Sequence, residues 1–216
     1  MSNTAEFKLA RFRFTLNPLG EIILPAYKGS TLRGGFGHSF KKVVCTLRNK
    51  ECADCILKSK CVYYYVFETP PPQDSKMLRL YPKVPHPFII EPPLTNQQIF
   101  QPGEIIPFNL ILIGNAIDYL PYFIYTFKEL GEIGIGKQRG RYELSEVEGI
   151  DRAGKSISIY TNSSQTIINN HPVITTEICR GVLQYALEQG ERNDHITINL
   201  LTPMRLRFGG HITDHL

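Results

Sequence analysis

Polar and apolar residues alternate without a break over residues 7–16. Phe7, Leu9, Arg11, Arg13 and Thr15 fall on one side, and Lys8, Ala10, Phe12, Phe14 and Leu16 on the other. A period of two predicts a strand with one apolar face and one partly basic face. The period then changes. After the turn signal Asn17-Pro18-Leu19-Gly20 and a short extended piece, Ser30 or Thr31 is placed to cap a helix running to about Arg48. Gly34, Gly35 and Gly37 each weaken that helix by about 1 kcal/mol against alanine, which implies close approach of another backbone or of a ligand. The run VYYYVFE at 62–68 reads as a compact strand. Prolines are frequent between Pro70 and Pro93, predicting an extended excursion that holds a short strand at 87–91. Residues 104–114 read as a buried strand. Asp118 can cap a helix over 119–130, where Tyr119, Phe123, Phe127 and Leu130 recur at helical spacing. Residues 140–150 make a returning strand, joined through Arg152-Ala153-Gly154 to another at 156–160.

Strand, helix, strand, strand, helix, strand is the ferredoxin-like, or RRM-like, βαββαβ order of an α+β protein. The expected organisation is a domain over 1–160 with a cysteine-rich insertion at 45–61, then a linker and short helix over 161–195. Residues 196–208, ITINLLTPMRLRF, repeat the alternating apolar and basic character of residues 7–16, and little chain follows to cover them. They predict that 196–216 begins a second ferredoxin-like domain that is cut short. The alternative is an intact protein whose last strand pairs at the sheet edge.

An apolar content of 42% in 216 residues suffices for a substantial core. The N-terminus MSNTAEFKLARFRF lacks the apolar region of a secretory signal. The longest apolar stretch, 105–117, is interrupted by Pro107, Asn109 and Asn115 and is too short to span a bilayer. A soluble, cytoplasmic protein without a membrane partner is expected. The net charge of +4 is mild, but its distribution is uneven. Basic residues gather at Lys8-Arg11-Arg13, at Lys28-Arg33-Lys41-Lys42-Arg48, at 137–141 and at Arg205-Arg207, so patches of positive potential follow.

Four cysteines cluster as Cys45-x6-Cys52-x2-Cys55-x5-Cys61. In a cytosolic chain this spacing favours metal ligation over disulfides. Structural zinc on the four thiolates is the first expectation, with free thiols and an iron–sulfur cluster as alternatives. With four protein ligands no coordination position stays open for catalysis. Cys179 reads as a small core residue.

The run Gly134-Ile135-Gly136-Lys137-Gln138-Arg139-Gly140-Arg141 combines three glycines with three fixed positive charges. Glycines let backbone N–H groups turn toward an anion, and Lys and Arg attract phosphate. The run lacks the Gly-Lys-Ser/Thr ending of a P-loop and the dinucleotide spacing Gly-x-Gly-x-x-Gly after a strand. It reads either as a polyanion-binding loop or as a surface hairpin with a basic tip.

These residues, with Tyr27-Lys28-Gly29-Ser30-Thr31-Leu32-Arg33-Gly34-Gly35-Phe36-Gly37-His38, the four cysteines and residues 88–93, resemble the RAMP superfamily of CRISPR-associated proteins. The chain is most similar to the endoribonucleases that process precursor CRISPR RNA. The resemblance implies tandem ferredoxin-like domains that bind CRISPR repeat RNA, with the glycine loop in contact with it and other CRISPR-associated proteins as further partners. It also implies metal-independent cleavage, in which a 2′-hydroxyl attacks the adjacent phosphate to leave a 2′,3′-cyclic phosphate and a 5′-hydroxyl. A non-cleaving RNA-binding subunit of an effector complex shares the same motifs and is the first alternative. A zinc-stabilised protein-interaction module is the second.

Such cleavage needs a base near the 2′-hydroxyl, an acid near the leaving oxygen and cations on the phosphate. His38 is the first of six histidines to consider, because helical spacing puts Lys41 and Lys42 beside it. Tyr27, before the helix, completes a candidate catalytic set of His38, Tyr27 and Lys42. The RNA-binding candidates are Arg33, Lys41, Gly134, Gly136, Lys137, Arg139, Gly140 and Arg141. Backbone N–H groups at Gly34 and Gly35 are a further expected phosphate contact. Of Tyr63, Tyr64 and Tyr65, alternate members are expected in the core, with one exposed ring able to stack on an unpaired base. His86, His171, His195, His211 and His215 read as loop, turn or chain-end residues.

Overall fold

The structure, a computed structural model, describes residues 7–47, 50–71, 84–188, 199, 201, 206–208 and 211–213. Along the chain run β1 (Lys8–Pro18), β2 (Ile22–Ile23), α1 (Gly29–Val44), β3 (Phe88–Glu91), β4 (Ile99–Phe100), β5 (Ile106–Ile113), α2 (Leu120–Ile133), β6 (Tyr142–Ile150), β7 (Ser156–Thr161), β8 (Ile174–Thr175), α3 (Thr176–Glu188), β9 (Leu206–Phe208) and β10 (His211–Thr213). The main sheet has the order β3-β5-β1-β6-β7, with every pair antiparallel. Its first four strands with α1 and α2 are a βαββαβ unit in the ferredoxin-like order, so the fold is α+β of that type. At the start of β1, β8 takes the place that β6 has vacated and pairs with Lys8 and Leu9.

β1 obeys its sequence pattern. Ala10, Phe12, Phe14 and Leu16 are fully buried beneath the helices, while Arg11 and Arg13 stand on the open face. The helices present Leu32, Phe36 and Phe40 from α1, and Phe123, Ile124, Phe127 and Leu130 from α2. Phe36 is central, its ring 5.0 Å from those of Phe40, Phe123 and Phe127 and 5.6 Å from that of Phe88. Each such ring contributes roughly 1.5–3 kcal/mol through burial. Tyr142, also buried, donates its hydroxyl proton to the Phe127 carbonyl at 2.8 Å, tying β6 to α2.

Several sequence expectations need correction. Residues 62–68 form no strand: the chain turns helically from Val62 and continues as a π-helical segment, Tyr64–Glu68. Helix α1 starts at Gly29, capped by the backbone of Lys28 rather than by a Ser30 or Thr31 side chain, and it ends at Val44. Cys179 is exposed on α3. Residues 161–175, expected as linker, include a bridge from Ile167 to Tyr160 and strand β8. Most of 196–205 lies outside the described residues; β9 and β10 pair as a short antiparallel hairpin. No helix among the described residues is long and apolar enough to cross a membrane.

Candidate nucleic-acid interface

The glycine run is a tight hairpin between α2 and β6. Ile135 and Gly140 exchange both backbone hydrogen bonds, at 3.0 and 2.9 Å, leaving residues 136–139 as its tip. Gly134 and Gly136 have φ of +87° and +77°, a region that suits glycine. A side chain at Gly136 would strike the Ile23 carbonyl, and one at Gly140 would meet Glu21 and Ile22. Gly136 and Gly140 are therefore explained by docking against β2 and its lead-in, and Gly134 by the Arg139 backbone that closes over it within the hairpin. The expected cradle of backbone N–H groups does not form as foreseen, because the N–H groups of residues 134, 135, 137, 139 and 140 all donate within the protein.

The positive charge that the hairpin offers to solvent therefore comes from its side chains. Arg141 is paired with Glu132. Lys137 and Arg139 are exposed, and among the described residues neither forms an ion pair. Arg139 also holds a left-handed φ of +52°, which costs a non-glycine residue roughly 1–2 kcal/mol.

The hairpin lies against α1. On its Arg139 side is a pocket of about 240 Å³ lined by Thr31, His38, Ser39 and Arg139. On the Lys137 side is one of about 380 Å³ lined by Thr31, Gln98 and Lys137. Thr31 borders both. The exposed stripe of α1 is Ser30, Gly34, His38 and Lys42, four residues apart in each step. Its glycines differ in their reasons. A methyl at Gly35 would press on Leu130 at 3.2 Å and one at Gly37 on Phe67 at 3.2 Å, whereas one at Gly34 would meet nothing within 4 Å. The N–H groups of Gly34 and Gly35 are in the second turn and bond within the helix, so the unsatisfied donors are those of Gly29, Ser30 and Thr31 instead.

The candidate catalytic set is only partly assembled. His38 and Lys42 share the exposed stripe and His38 shares a pocket with Arg139. Tyr27 does not join them: its hydroxyl sits over Gly29, 2.5 Å from where a Cβ there would be, about 13 Å down the helix from His38. Arg33 faces the Tyr27 end. It lies over the Phe88 ring, 4.6 Å from its centroid, and burial pulls its guanidinium below its ordinary range. Lys28 is fully buried, donating to the carbonyls of Ala26 at 2.9 Å and Thr95 at 2.7 Å, so it is structural. Lys41 points the other way, over the Tyr63 ring at 5.3 Å.

The open face of the sheet forms a groove of about 1020 Å³ in which both arginines have carboxylate partners: Arg11 is bonded to Glu91 at 2.9 Å and Arg13 lies 3.9 Å from Glu148. Sequence alone did not reveal Ser39, whose buried hydroxyl lacks a partner among the described residues, or Thr31 as the residue between two pockets.

Cys45, Cys52, Cys55 and Cys61 are all unbridged and half-buried. Burial raises the Cys52 thiol pKa, Lys41 opposes this, and Glu68, Cys45 and Cys61 add to it, so Cys45 and Cys61 both lie within electrostatic reach of Cys52. As they stand, no three Cys, His, Asp or Glu side chains among the described residues are close enough to hold a metal ion.

A ferredoxin-like α+β domain with a basic hairpin beside its first helix is the class that fold and site define. The family model AF_1859_N, described as an N-terminal domain, matches residues 7–173, and the chain belongs to this family. An uncharacterized protein of Archaeoglobus fulgidus is 25% identical over 184 residues, which are 85% of this chain and 57% of that protein. The chain thus spans little more than half the length of this curated relative. Among solved structures, the Csm3–Csm4 subcomplex of the type III-A CRISPR-Cas interference complex aligns with a TM-score of 0.40 and 16% identity, over 68% of this chain and 80% of that one.

Proposed function

We propose that this chain binds RNA through the 134–141 hairpin and the exposed stripe of α1, as the RNA-binding part of a RAMP-type CRISPR-associated protein. The carrying observation is the pair Lys137 and Arg139, two cations without ion-pair partners among the described residues, held on a hairpin that flanks the α1 face. A phosphate backbone is the natural counter-charge for such a pair. The sequence resemblance supports CRISPR repeat RNA as the ligand and other CRISPR-associated proteins as partners. The test is binding of repeat RNA across a salt series. Lys137→Ala and Arg139→Ala should each weaken binding and flatten the slope of log K against log salt by about 0.7, as for one lost single-strand phosphate contact. RNA binding that is absent, or unchanged in both variants, refutes the reading.

Within this reading we assign cleavage to His38, as the base that takes the 2′-hydroxyl proton while that oxygen attacks the adjacent phosphorus. Arg139 and Lys42 supply positive charge to the phosphate, the bond to the 5′-oxygen breaks, and that oxygen leaves with a proton from a general acid. The full-length protein should cut repeat RNA once in EDTA, and His38→Ala should abolish the cut while salt-dependent RNA binding persists. Binding without cutting favours the non-catalytic subunit.

Structural zinc on Cys45, Cys52, Cys55 and Cys61 is a separate proposal. It is supported by the ligand spacing and by the helical turns Cys52–Asp54 and Lys58–Lys60, neither of which buries a residue. The thiols must draw together to hold the ion. Metal analysis of protein prepared without chelator should find about one zinc per chain, and none in Cys52→Ser with Cys55→Ser.

A further inference from the structure

The π-helical segment Tyr64–Glu68, which packs Phe67 against Gly37 of α1, borders a further cavity. It measures about 500 Å³ and is lined chiefly by Lys58, Lys60, Tyr64, Tyr65, Tyr119 and Pro87. Its construction follows from the chain. Cys61 accepts a hydrogen bond from the Tyr65 N–H at 3.0 Å, so the helical segment grows directly out of the cysteine insertion. That helix sends Tyr63 toward Phe67, with ring centroids 5.2 Å apart, and leaves Tyr64 and Tyr65 to the cavity. The Tyr65 ring meets Tyr119 edge-on at 5.7 Å, which fixes one wall. Tyr64 is half-buried, and its ring stacks on no other ring among the described residues.

Among the described residues the lining charges have one sign and include no carboxylate; Asp118, next to Tyr119, acts on the Tyr65 hydroxyl. Lys58 donates to the Ala53 carbonyl at 2.7 Å and thereby holds the insertion in place, while Lys60 has no ion-pair partner among the described residues. A cavity of this size suits one small organic ligand. An open phenol ring beside ammonium groups is the chemistry that holds an unpaired nucleotide, the base on the ring and its phosphate on the lysines.

We propose that this cavity takes one unpaired nucleotide of the RNA, with Tyr64 as the stacking platform and Lys60 on the flanking phosphate. The proposal rests on the RNA-binding reading above and adds a second point of attachment to it. Lys41, over Tyr63, and Lys42, on the exposed stripe, stand in the last turn of α1, where the chain enters the cysteine insertion. The strand would then run along α1 from the hairpin to the insertion. The cysteine insertion acquires a role in this arrangement, since it carries both lysines.

The test uses the full chain and a single-stranded repeat RNA with 2-aminopurine placed at successive positions. Wild type should quench one position strongly, by stacking. Tyr64→Ala should lose that quench and bind about 5- to 100-fold more weakly, whereas Tyr64→Phe should keep both. Lys60→Ala should retain the quench, bind more weakly and flatten the salt slope by about 0.7. Melting temperatures identify any variant that fails to fold, and Tyr64→Phe keeps the comparison decisive if Tyr64→Ala does. Full quench and affinity in Tyr64→Ala overturn the proposal and leave the hairpin reading standing, as does equal loss in folded Tyr64→Phe. No binding of RNA by wild type overturns both.

Discussion

Arg139 occupies a backbone conformation that glycine or asparagine would take more cheaply, and it does so at the tip of a hairpin whose other tight positions are glycines. Stability and binding should therefore respond oppositely to one substitution. Arg139→Gly relieves the left-handed strain and should raise stability by up to about 1 kcal/mol, read as a shift in the denaturant midpoint. The same change should weaken RNA binding as Arg139→Ala does. Loss of both stability and binding would mean that the arginine is structural. At this scale the sequence exposed the chemistry of the hairpin but not its wiring. Three glycines and three charges were plain in residues 134–141, yet only the fold reveals that Gly136 and Gly140 serve β2, that Gly134 makes room for the Arg139 backbone and that Arg141 is paired with Glu132. Ion pairing across such sequence distances leaves no local trace.

Elements with a single dominant period were legible, and those without one were not. β1 alternates and is a strand; α2 recurs at helical spacing and is a helix. VYYYVFE is apolar almost throughout, and a continuous apolar run of that length does not distinguish a buried strand from a helix. Its β-branched and aromatic residues lean toward strand, but Tyr63 and Phe67 stack four residues apart at 5.2 Å and Val66 reaches the core, so packing overrides propensity. Helical glycines give the matching test. In α1, Gly34→Ala meets no neighbour and should stabilise by about 0.4–1 kcal/mol. If RNA approaches the exposed stripe closely, the added methyl should also lower affinity. In α2, Gly131→Ala would drive its methyl into the Tyr142 carbonyl and should destabilise by about 1–3 kcal/mol. Paired denaturation curves check both signs, and a stabilised Gly131→Ala would refute the close packing of α2 on β6.

For the molecule as a whole, the ferredoxin-like order was readable because it depends only on the succession of elements, whereas the way residues 161–175 return to the sheet was not. His171 marks that return. Its ring stands edge-on to Phe12 at 5.2 Å, it lies against Gly149 of β6, and its buried Nδ1 has no hydrogen-bond partner among the described residues. Burial lowers its pKa from the ordinary value near 6.5, with Asp118 acting more weakly in the opposite direction. The unfolded chain therefore takes up this proton more readily than the folded one does, and stability rises with pH across the titration. The contribution is fully present above about pH 6.5 and is lost as pH falls through the lower folded value. Melting temperature measured from pH 7.5 to pH 5 should fall more steeply for wild type than for His171→Leu, which has no proton to gain. Parallel curves would mean that the imidazole is solvated in the folded state and that residues 161–175 do not close over the sheet.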